Sequence, residues 1–274
     1  MEKFFSKNQW ALILGASSGF GGATAVELAR RGMSIFGVHL DRAATQPNAE
    51  KIENEIKDNG AGVRFFNVNA SDESKRNEVL DTIQKEFEKD STASLRVILH
   101  SLAFGTLKPF VMPNPSEMLT KKQMEMTLDV MASSLVYWVQ GAFARKLLKP
   151  GARVLAMTSS GGHSVIPDYG AVSAAKAALE SNIRQLAMEL GPHGITASSI
   201  MAGVTNTPAL QRIPSGSLLL KYASQKNPRG RSTTTEDVAK VISLLARDEA
   251  DWISGGVIAV DGGEDVAMLP RNYE

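Results

Sequence analysis

Three side chains between residues 158 and 176 have types and spacings that suit reduction chemistry. Tyr169 and Lys176 are seven residues apart, and seven helical steps of about 100° bring two side chains to nearly the same face. Ser159 lies ten residues before the tyrosine, at the end of an apolar run that we interpret as a strand. A phenol with the ordinary pKa of about 10 is a poor acid at neutral pH, and a nearby ammonium lowers that pKa. We therefore take the three residues as candidate catalytic groups, in which the lysine can also hold a ribose hydroxyl.

A purely structural interpretation of the same stretch is also open. It would be a surface loop followed by an alanine-rich amphipathic helix whose polar residues have no chemical role. A tyrosine and a lysine at this spacing occur by chance in most long chains, so the pair alone indicates little. Its meaning depends on what the rest of the chain places beside it.

Composition excludes several function classes. The chain has 274 residues, of which 43% are hydrophobic, enough for one α/β domain with a large core. Its net charge of +1 provides no strong field for nucleic acid or an anionic membrane. There is no cysteine and the four histidines are scattered, so we expect no metal site. No apolar run approaches the roughly 20 residues of a membrane span, and we predict a cytoplasmic protein.

A glycine-rich turn follows the first predicted strand, residues 10–14, and precedes a helical pattern over 23–30. Between a strand and a helix, Gly15 permits a tight turn, Gly19 lets the backbone approach a diphosphate, and Gly21 lets the helix pack closely on the sheet. The helix N-terminus offers free N–H groups to phosphates. We predict dinucleotide binding here, against the alternative of an ordinary helix start with flexible glycines. The same turn contributes Ser17, Ser18 and Phe20.

The end of the second predicted strand, residues 34–40, carries opposing signals about the cofactor. An acidic residue there binds the 2′-hydroxyl of NADH, whereas an arginine accepts the 2′-phosphate of NADPH. Asp41 favours the first, while His39 and Arg42 could both meet a phosphate, so we predict NADPH by a small margin over NADH. The alternative is that His39 and Arg42 are solvated loop residues.

Alternating strand and helix patterns predict a doubly wound, mainly parallel α/β sheet of Rossmann-like type in a single domain, residues 1–274. Ligands of such sheets bind outside the carboxyl ends of the strands, and the polar candidates each follow a predicted strand. Further predicted strands cover 62–68, 95–99, 151–157, 195–200 and 253–260. Predicted helices cover 49–60, 71–89, 174–190 and 235–247, and a long helix, either continuous or interrupted, covers 119–148. The remaining predicted cofactor contacts are Asn67, Val68, Ser101, Leu102, Ala103, Lys176, Gly203, Val204, Thr205 and Thr207.

Residues 208–231 show little periodicity. Their apolar side chains, Leu218 to Leu220 and Tyr222, suit a mobile lid over an apolar ligand. An ordinary surface insertion explains the same composition equally well.

The motifs resemble those of the short-chain dehydrogenase/reductase family across nearly the whole chain. The resemblance rests on the glycine turn, on the serine, tyrosine and lysine, and on Val-Asp-Gly-Gly at 260–263. Common members of that family place the tyrosine four residues before the lysine, where this chain has Val172. The spacing found here, Tyr-x6-Lys, is similar to that of the enoyl-acyl carrier protein reductases. His-Ser-Leu-Ala-Phe at 100–104 and the segment 200–207 also resemble that branch.

Two features differ from the best-known bacterial enoyl reductases. Their first turn lacks the Gly-x3-Gly-x-Gly spacing, and they have a second tyrosine where this chain has Ser159. A less common branch of the enoyl reductases combines the glycine spacing, the serine and Tyr-x6-Lys. The chain resembles that branch or a relative of it.

The resemblance implies NAD(P)H-dependent reduction of the trans-2 double bond of enoyl thioesters in fatty acid synthesis. It implies a substrate carried by acyl carrier protein and assembly as a homotetramer. In this role Tyr169 would hydrogen-bond the developing enolate oxygen, Lys176 would hold the nicotinamide ribose, and Ser159 would assist. Val204 and Thr205 would approach the carboxamide, and Thr207 would approach a phosphate.

Two other functions remain open. A carbonyl or alcohol oxidoreductase of the 3-oxoacyl or hydroxysteroid type is favoured by Ser159 and disfavoured by Val172. A nucleotide-binding regulator without catalysis is disfavoured by the intact set of serine, tyrosine and lysine.

Overall fold

The computed structural model of the protein describes residues 2–268. Its strands are short apolar runs that helices cover on both faces, as is usual in parallel sheets. Every residue of the run SIFGVH, for example, is buried. The strands are β1 (Gln9–Leu14), β2 (Ser34–His39), β3 (Val63–Asn67), β4 (Ser94–His100), β5 (Leu148–Ser159), β6 (Thr196–Ala202) and β7 (Val257–Val260).

The seven strands form one parallel sheet in the order β3-β2-β1-β4-β5-β6-β7. The order reverses beside β1, which pairs with both β2 and β4. This confirms the predicted doubly wound parallel sheet. In such a sheet, a ligand crevice is expected outside the carboxyl ends of the strands near the reversal.

Helices cover the sheet in two layers. The buried side chains of α1, α2 and α8 form one core with one face of the sheet, and those of α3, α5 and α6 form a second core with the other face. The helices are α1 (Gly19–Arg30), α2 (Gln46–Asp58), α3 (Glu73–Phe87), α4 (Lys121–Leu128), α5 (Ser134–Ala144), α6 (Gly170–Leu190), α7 (Gly216–Lys226) and α8 (Thr235–Leu245).

Several predicted boundaries are wrong. The predicted helix over 119–148 is the interrupted one of its two alternatives and is shorter at both ends, because α4 and α5 cover Lys121–Leu128 and Ser134–Ala144 and are joined by a π-helical turn at Asp129–Ser133. The aperiodic segment 208–231 contains α7, whose pattern is blurred because Leu218 and Tyr222 are exposed. The predicted strand over 253–260 begins only at Val257.

The strand registers bring the predicted site segments to one edge of the sheet. Leu14 pairs with Val38 on one side and with His100 on the other, and Ser159 pairs with Ala202. The loops that follow these strands therefore lie side by side. Within residues 2–268, no helix combines the length and the apolar character that crossing a membrane requires.

Candidate active site

The glycine turn has the geometry that a dinucleotide needs. Gly15 has a φ of +93°, and a Cβ there would lie 2.5 Å from the Ser101 carbonyl oxygen. A Cβ on Gly21 would lie 2.1 Å from the Gly15 carbonyl oxygen, so only glycine lets α1 approach the turn this closely. Gly19 has a φ of +55°, and its open side has only the Thr207 side chain nearby, at 3.7 Å. The backbone of Gly19 is therefore free to approach a diphosphate between the turn and Thr207.

The first turn of α1 keeps its donors available. Ser18 is the N-cap residue, yet its side chain accepts no cap hydrogen bond. The uncapped N–H groups and the positive end of the helix dipole suit a phosphate. Ser17, Ser18 and Phe20 belong to this segment, as predicted, and none of them is buried.

His39 is not placed to meet a phosphate. Its side chain is buried, and its Nδ1 lies 2.8 Å from Oδ2 of Asp41. Burial raises the pKa of Asp41, but hydrogen bonds from Ser17, Thr45 and His39 outweigh burial, so the pKa lies below its ordinary value. An ionised carboxylate thus stands at the end of β2 beside the glycine turn. The predicted role of His39 as a phosphate ligand is wrong, because its ring is committed to Asp41.

Asn67 holds the backbone of Asp41. Its side-chain oxygen accepts from the Asp41 N–H and its amide donates to the Asp41 carbonyl, both at 3.0 Å. Val68 continues this contact, because its N–H donates to the His39 carbonyl at 2.8 Å. Arg42 is exposed, so of the two predicted phosphate ligands only Arg42 is available.

Segment 101–103 forms the wall between the turn and the candidate catalytic residues. The Ser101 N–H donates to the Leu14 carbonyl at 2.9 Å, which continues the β1–β4 pairing by one residue. Leu102 packs against the core, whereas Ala103 is exposed. These residues present backbone groups and no charged side chain at this edge of the sheet.

Tyr169 lies beside Ser159. It is the N-cap residue of α6, with φ of −93° and ψ of 1°, so the interpretation of a tyrosine within the helix is wrong by one residue. Its ring edge lies 2.7 Å from where a Cβ on Gly161 would be, and the Gly161 N–H donates to Ser159 Oγ at 3.1 Å. Burial raises the pKa of Tyr169, and its hydrogen bond with Ser159 opposes the rise. The phenol is therefore protonated at neutral pH and can donate a hydrogen bond.

Lys176 lies beneath this pair. Its Nζ donates to the Met157 carbonyl at 2.7 Å, and burial lowers its pKa to about 8 while Glu180 opposes that change. The expectation that this ammonium lowers the pKa of Tyr169 is wrong for this structure, in which burial of the phenol dominates. The tyrosine caps α6 and the lysine lies two turns into it, with its ammonium bonded to the backbone of β5.

Val172 explains why the chemistry belongs to Tyr169. It is buried in a small core with Met131 and Ala175, against which Tyr169 packs. A tyrosine four residues before the lysine, as in common family members, would have to replace this packed valine. The phenol seven residues before Lys176 is the one that reaches Ser159.

His100 is a buried polar group at the end of β4. Its Nε2 lies 2.9 Å from Oγ of Ser134, which begins α5 after the π-helical turn. Burial and, to a smaller extent, the charge of Lys176 lower its pKa to about 3. His100 is therefore a neutral structural group.

The residues after β6 face a carboxylate that the sequence interpretation missed. The Val204 N–H lies 3.2 Å and 3.3 Å from the two carboxylate oxygens of Glu264. Thr205 and Thr207 are buried, and Thr205 Oγ1 donates to the Gly203 carbonyl at 2.9 Å. Glu264 follows the Val-Asp-Gly-Gly motif directly, and this position is the only signal that could have revealed it.

The loops that follow β4 and β5, together with helix α7, carry exposed apolar side chains. Phe110 is 53% exposed, and its ring lies 2.5 Å from where a Cβ on Gly170 would be, next to Tyr169. Phe104, Val165, Leu218 and Tyr222 are also exposed. Of these residues, Phe110 is the one that lies next to Tyr169, and its exposed ring suits contact with an apolar ligand.

Comparison with known proteins identifies the family and the fold. A family model described as Enoyl-(Acyl carrier protein) reductase matches residues 15–264. An NADPH-dependent aldehyde reductase-like protein, chloroplastic, from Arabidopsis thaliana is 30% identical and is similar over 92% of this chain and 93% of its own. The enoyl-[acyl-carrier-protein] reductase [NADH] FabI of Escherichia coli (strain K12) is 32% identical over 55% of this chain and 57% of its own. The crystal structure of an enoyl-[acyl-carrier-protein] reductase (NADH) from Aquifex aeolicus VF5 superposes with a TM-score of 0.81, at 23% identity, over 95% of this chain and 98% of that one.

Proposed function

The chain belongs to the short-chain dehydrogenase/reductase family, in its enoyl-acyl carrier protein reductase branch, and we propose that it reduces the trans-2 double bond of enoyl thioesters in fatty acid synthesis. That it is an oxidoreductase using a nicotinamide dinucleotide follows from the family. The enoyl substrate rests on one observation: the phenol beside Ser159 belongs to Tyr169, and Val172 is buried in the core.

The protein's own groups would act on the thioester oxygen. NAD(P)H, when bound, would supply the hydride for Cβ of the enoyl group. Negative charge would then develop on the thioester oxygen, and Cα would take its proton from solvent. Tyr169 stays protonated because its pKa is raised, so it donates a hydrogen bond to that oxygen where charge develops. Ser159 orients the phenol. Lys176, with a pKa of about 8, supplies an ammonium that can hold a ribose hydroxyl of the cofactor.

The residues at the end of β2, where the adenosine ribose of the cofactor would bind, favour NADH over NADPH. The small preference for NADPH that the sequence suggested depended partly on His39, whose ring is bonded to Asp41 instead. The Asp41 carboxylate, held ionised by its hydrogen bonds, accepts from a ribose hydroxyl and repels a phosphate. We therefore propose NADH as the preferred cofactor, with the exposed Arg42 allowing residual use of NADPH.

The proposal for the carrier of the acyl group rests on the positive charge of residues 208–232. Residues 208–232 contain five basic residues and no acidic residue, in a chain whose net charge is only +1. The side chains of Leu218, Lys221, Tyr222 and Gln225 follow helical spacing on the exposed side of α7. A basic and apolar helix face suits an acidic carrier protein, and acyl carrier protein is the proposed donor of the substrate.

A homotetramer is proposed from two exposed apolar patches. Tyr137, Phe143 and Met188 are exposed on α5 and α6, and Trp252, Ile253 and Val257 are exposed before and on the edge strand β7. Two separate self-complementary patches are what a tetramer with two kinds of two-fold interface requires. Light scattering of the purified protein measures its mass directly.

A cytoplasmic location remains a prediction.

Carbonyl reduction is the competing function. The relatives that match over the full length include the aldehyde reductase-like protein and the versicolorin reductase stcU of Emericella nidulans. Ser159, bonded to Tyr169, would serve a carbonyl oxygen equally well.

Paired substrates separate the two functions. Crotonyl-CoA and acetoacetyl-CoA present the same thioester with an alkene or a ketone, and we expect turnover of crotonyl-CoA with little turnover of acetoacetyl-CoA. Tyr169→Phe should lose most of this activity, because the hydroxyl that stabilises the enolate is gone. Tyr137→Phe, which removes a hydroxyl from an exposed ring on α5, is the matched control and should keep it. Preferential turnover of acetoacetyl-CoA would reject the enoyl assignment.

A further inference from the structure

Glu264 is a buried carboxylate with no assigned role. Its side chain is only 7% exposed, and none of the ion pairs formed within residues 2–268 includes it. Its oxygens accept from the Val204 N–H at 3.2 Å and 3.3 Å. A carboxylate buried with so little compensation costs stability, which suggests that its charge is retained for function.

The turn after β7 directs this carboxylate toward the end of β6. Gly262 and Gly263 have φ of +67° and +88°, which turns the chain back after β7. Asp261 closes the turn, because its carboxylate accepts from the Gly263 N–H at 2.9 Å and from the Asp265 N–H at 2.8 Å. Glu264 is thereby directed into the sheet edge, and a Cβ on Gly203 would lie 2.8 Å from its Oε2.

The carboxylate contacts the loop that follows β6, the strand that pairs with the end of β5 at Ser159. Ala202, the last residue of β6, pairs with Ser159, and Val204 follows two residues later. The neighbouring Asp265 pairs with His163 at 3.1 Å, in the loop that follows Ser159. Two successive acidic residues thus contact the loops on both sides of the site.

The electrostatic surroundings of Glu264 are mixed. Burial raises its pKa, and the carboxylates of Asp261 and Asp265 add to the rise. The Val204 N–H and the charge of Lys226 oppose it. Glu264 is thus grouped with two other acidic residues, and the ammonium that acts on it is that of Lys226 on α7.

We propose that Glu264 is a positioning residue that biases the site electrostatically toward the oxidised, positively charged nicotinamide relative to the neutral reduced one. This rests on the proposed use of NAD(P)H. A negative charge in a buried site interacts strongly with a positive charge nearby and hardly at all with a neutral ring. A carboxylate there therefore favours the step in which the ring loses a hydride and becomes positive, since it stabilises the charge that develops.

The test is the ratio of the dissociation constants of NAD⁺ and NADH, measured by calorimetry and by NADH fluorescence at pH 8 without substrate. Glu264→Gln keeps the shape and the acceptor for Val204 but removes the charge. We expect this variant to bind NAD⁺ more weakly by on the order of tenfold, with NADH affinity changed less than about twofold. Glu249→Gln removes an exposed acid near the opposite end of the sheet and should leave the ratio unchanged.

Glu264→Asp separates charge from packing. It keeps the charge and should keep the ratio near that of the parent even if both affinities fall, and it carries the test if Glu264→Gln does not fold. The inference is overturned if Glu264→Gln weakens NAD⁺ and NADH binding equally. It is also overturned if Glu264→Asp changes the ratio of the two dissociation constants as much as Glu264→Gln does, because Glu264 would then be a packing residue. If the parent protein binds neither form, the proposed function itself fails.

Discussion

Gly21→Ala tests whether the close approach of α1 to the glycine turn holds the cofactor site. A Cβ at this position would lie 2.1 Å from the Gly15 carbonyl oxygen and 2.9 Å from its carbon. Both atoms are backbone, so no side chain can move aside. The overlap of about 1 Å must be relieved by moving α1 away from the turn, and overpacking of this kind costs about 3 kcal/mol.

The net effect on stability is smaller than this cost. Gly21 lies within α1, and replacing glycine by alanine in a helix gains about 1 kcal/mol. The net loss is therefore about 2 kcal/mol, which lowers the melting temperature by roughly 4–8 °C for a protein of this size. Because the helix N-terminus moves with α1, we also expect NADH to bind more weakly by at least about tenfold.

Thermal unfolding and NADH fluorescence titration measure both effects. Gly256→Ala is the matched control, because a Cβ there meets nothing within 4 Å and its φ is outside the left-handed region; its melting temperature should stay within about 2 °C of the parent. If Gly21→Ala melts together with this control and binds NADH normally, the turn tolerates a side chain. The assignment of the glycine turn to a closely packed phosphate site would then be wrong.

Three further changes test other parts of the site. Asp41→Asn keeps the hydrogen-bonding shape but removes a charge that repels a 2′-phosphate, so kcat/KM with NADPH should rise by about tenfold or more relative to NADH; an unchanged ratio would remove Asp41 from the cofactor preference. Lys221→Glu combined with Arg229→Glu should raise KM for carrier-bound crotonyl substrate several-fold at low salt and leave KM for crotonyl-CoA within about twofold, whereas equal effects on both would contradict a protein carrier. The pKa of Lys176 is lowered to about 8, so the unfolded chain binds more protons than the native one between that value and its ordinary pKa of about 10.4. The parent should therefore gain stability relative to Lys176→Met as pH rises from 8 to 10 in urea unfolding, and a constant difference would show that the ammonium is not buried.

The sequence predicted the parts of the site that depend on local chain geometry. Gly15 and Gly21 could be assigned because strand, turn and helix follow one another within a few residues, and a parallel sheet brings all strand ends to one edge. Ser159 and Thr207 could be placed for the same reason. Such predictions need only the order of elements along the chain.

Side-chain partners distant in sequence could not be predicted in this way. His39 was assigned to a phosphate because its strand-end position is visible in the sequence, whereas its burial against Phe65 and its bond to Asp41 depend on the packed structure. The pKa of Tyr169 was predicted to fall because spacing indicates a nearby ammonium, but the desolvation that raises it depends on everything packed around the ring. Helix α7 was missed because amphipathic patterns identify helices that bury one face in the core, and this helix exposes Leu218 and Tyr222.

The same limit explains why a residue such as Glu264 escapes motif-based assignment of function. The motif Val-Asp-Gly-Gly identifies the strand β7 and the turn after it. It does not show that this turn places the next side chain, that of Glu264, beside the loop after β6. Asp261 and the two glycines fold the chain so that a carboxylate 60 residues away in sequence meets the Val204 N–H. The motif therefore determines the path of the backbone, while the charge placed beside Val204 depends on the residue that follows the motif, which in this protein is Glu264.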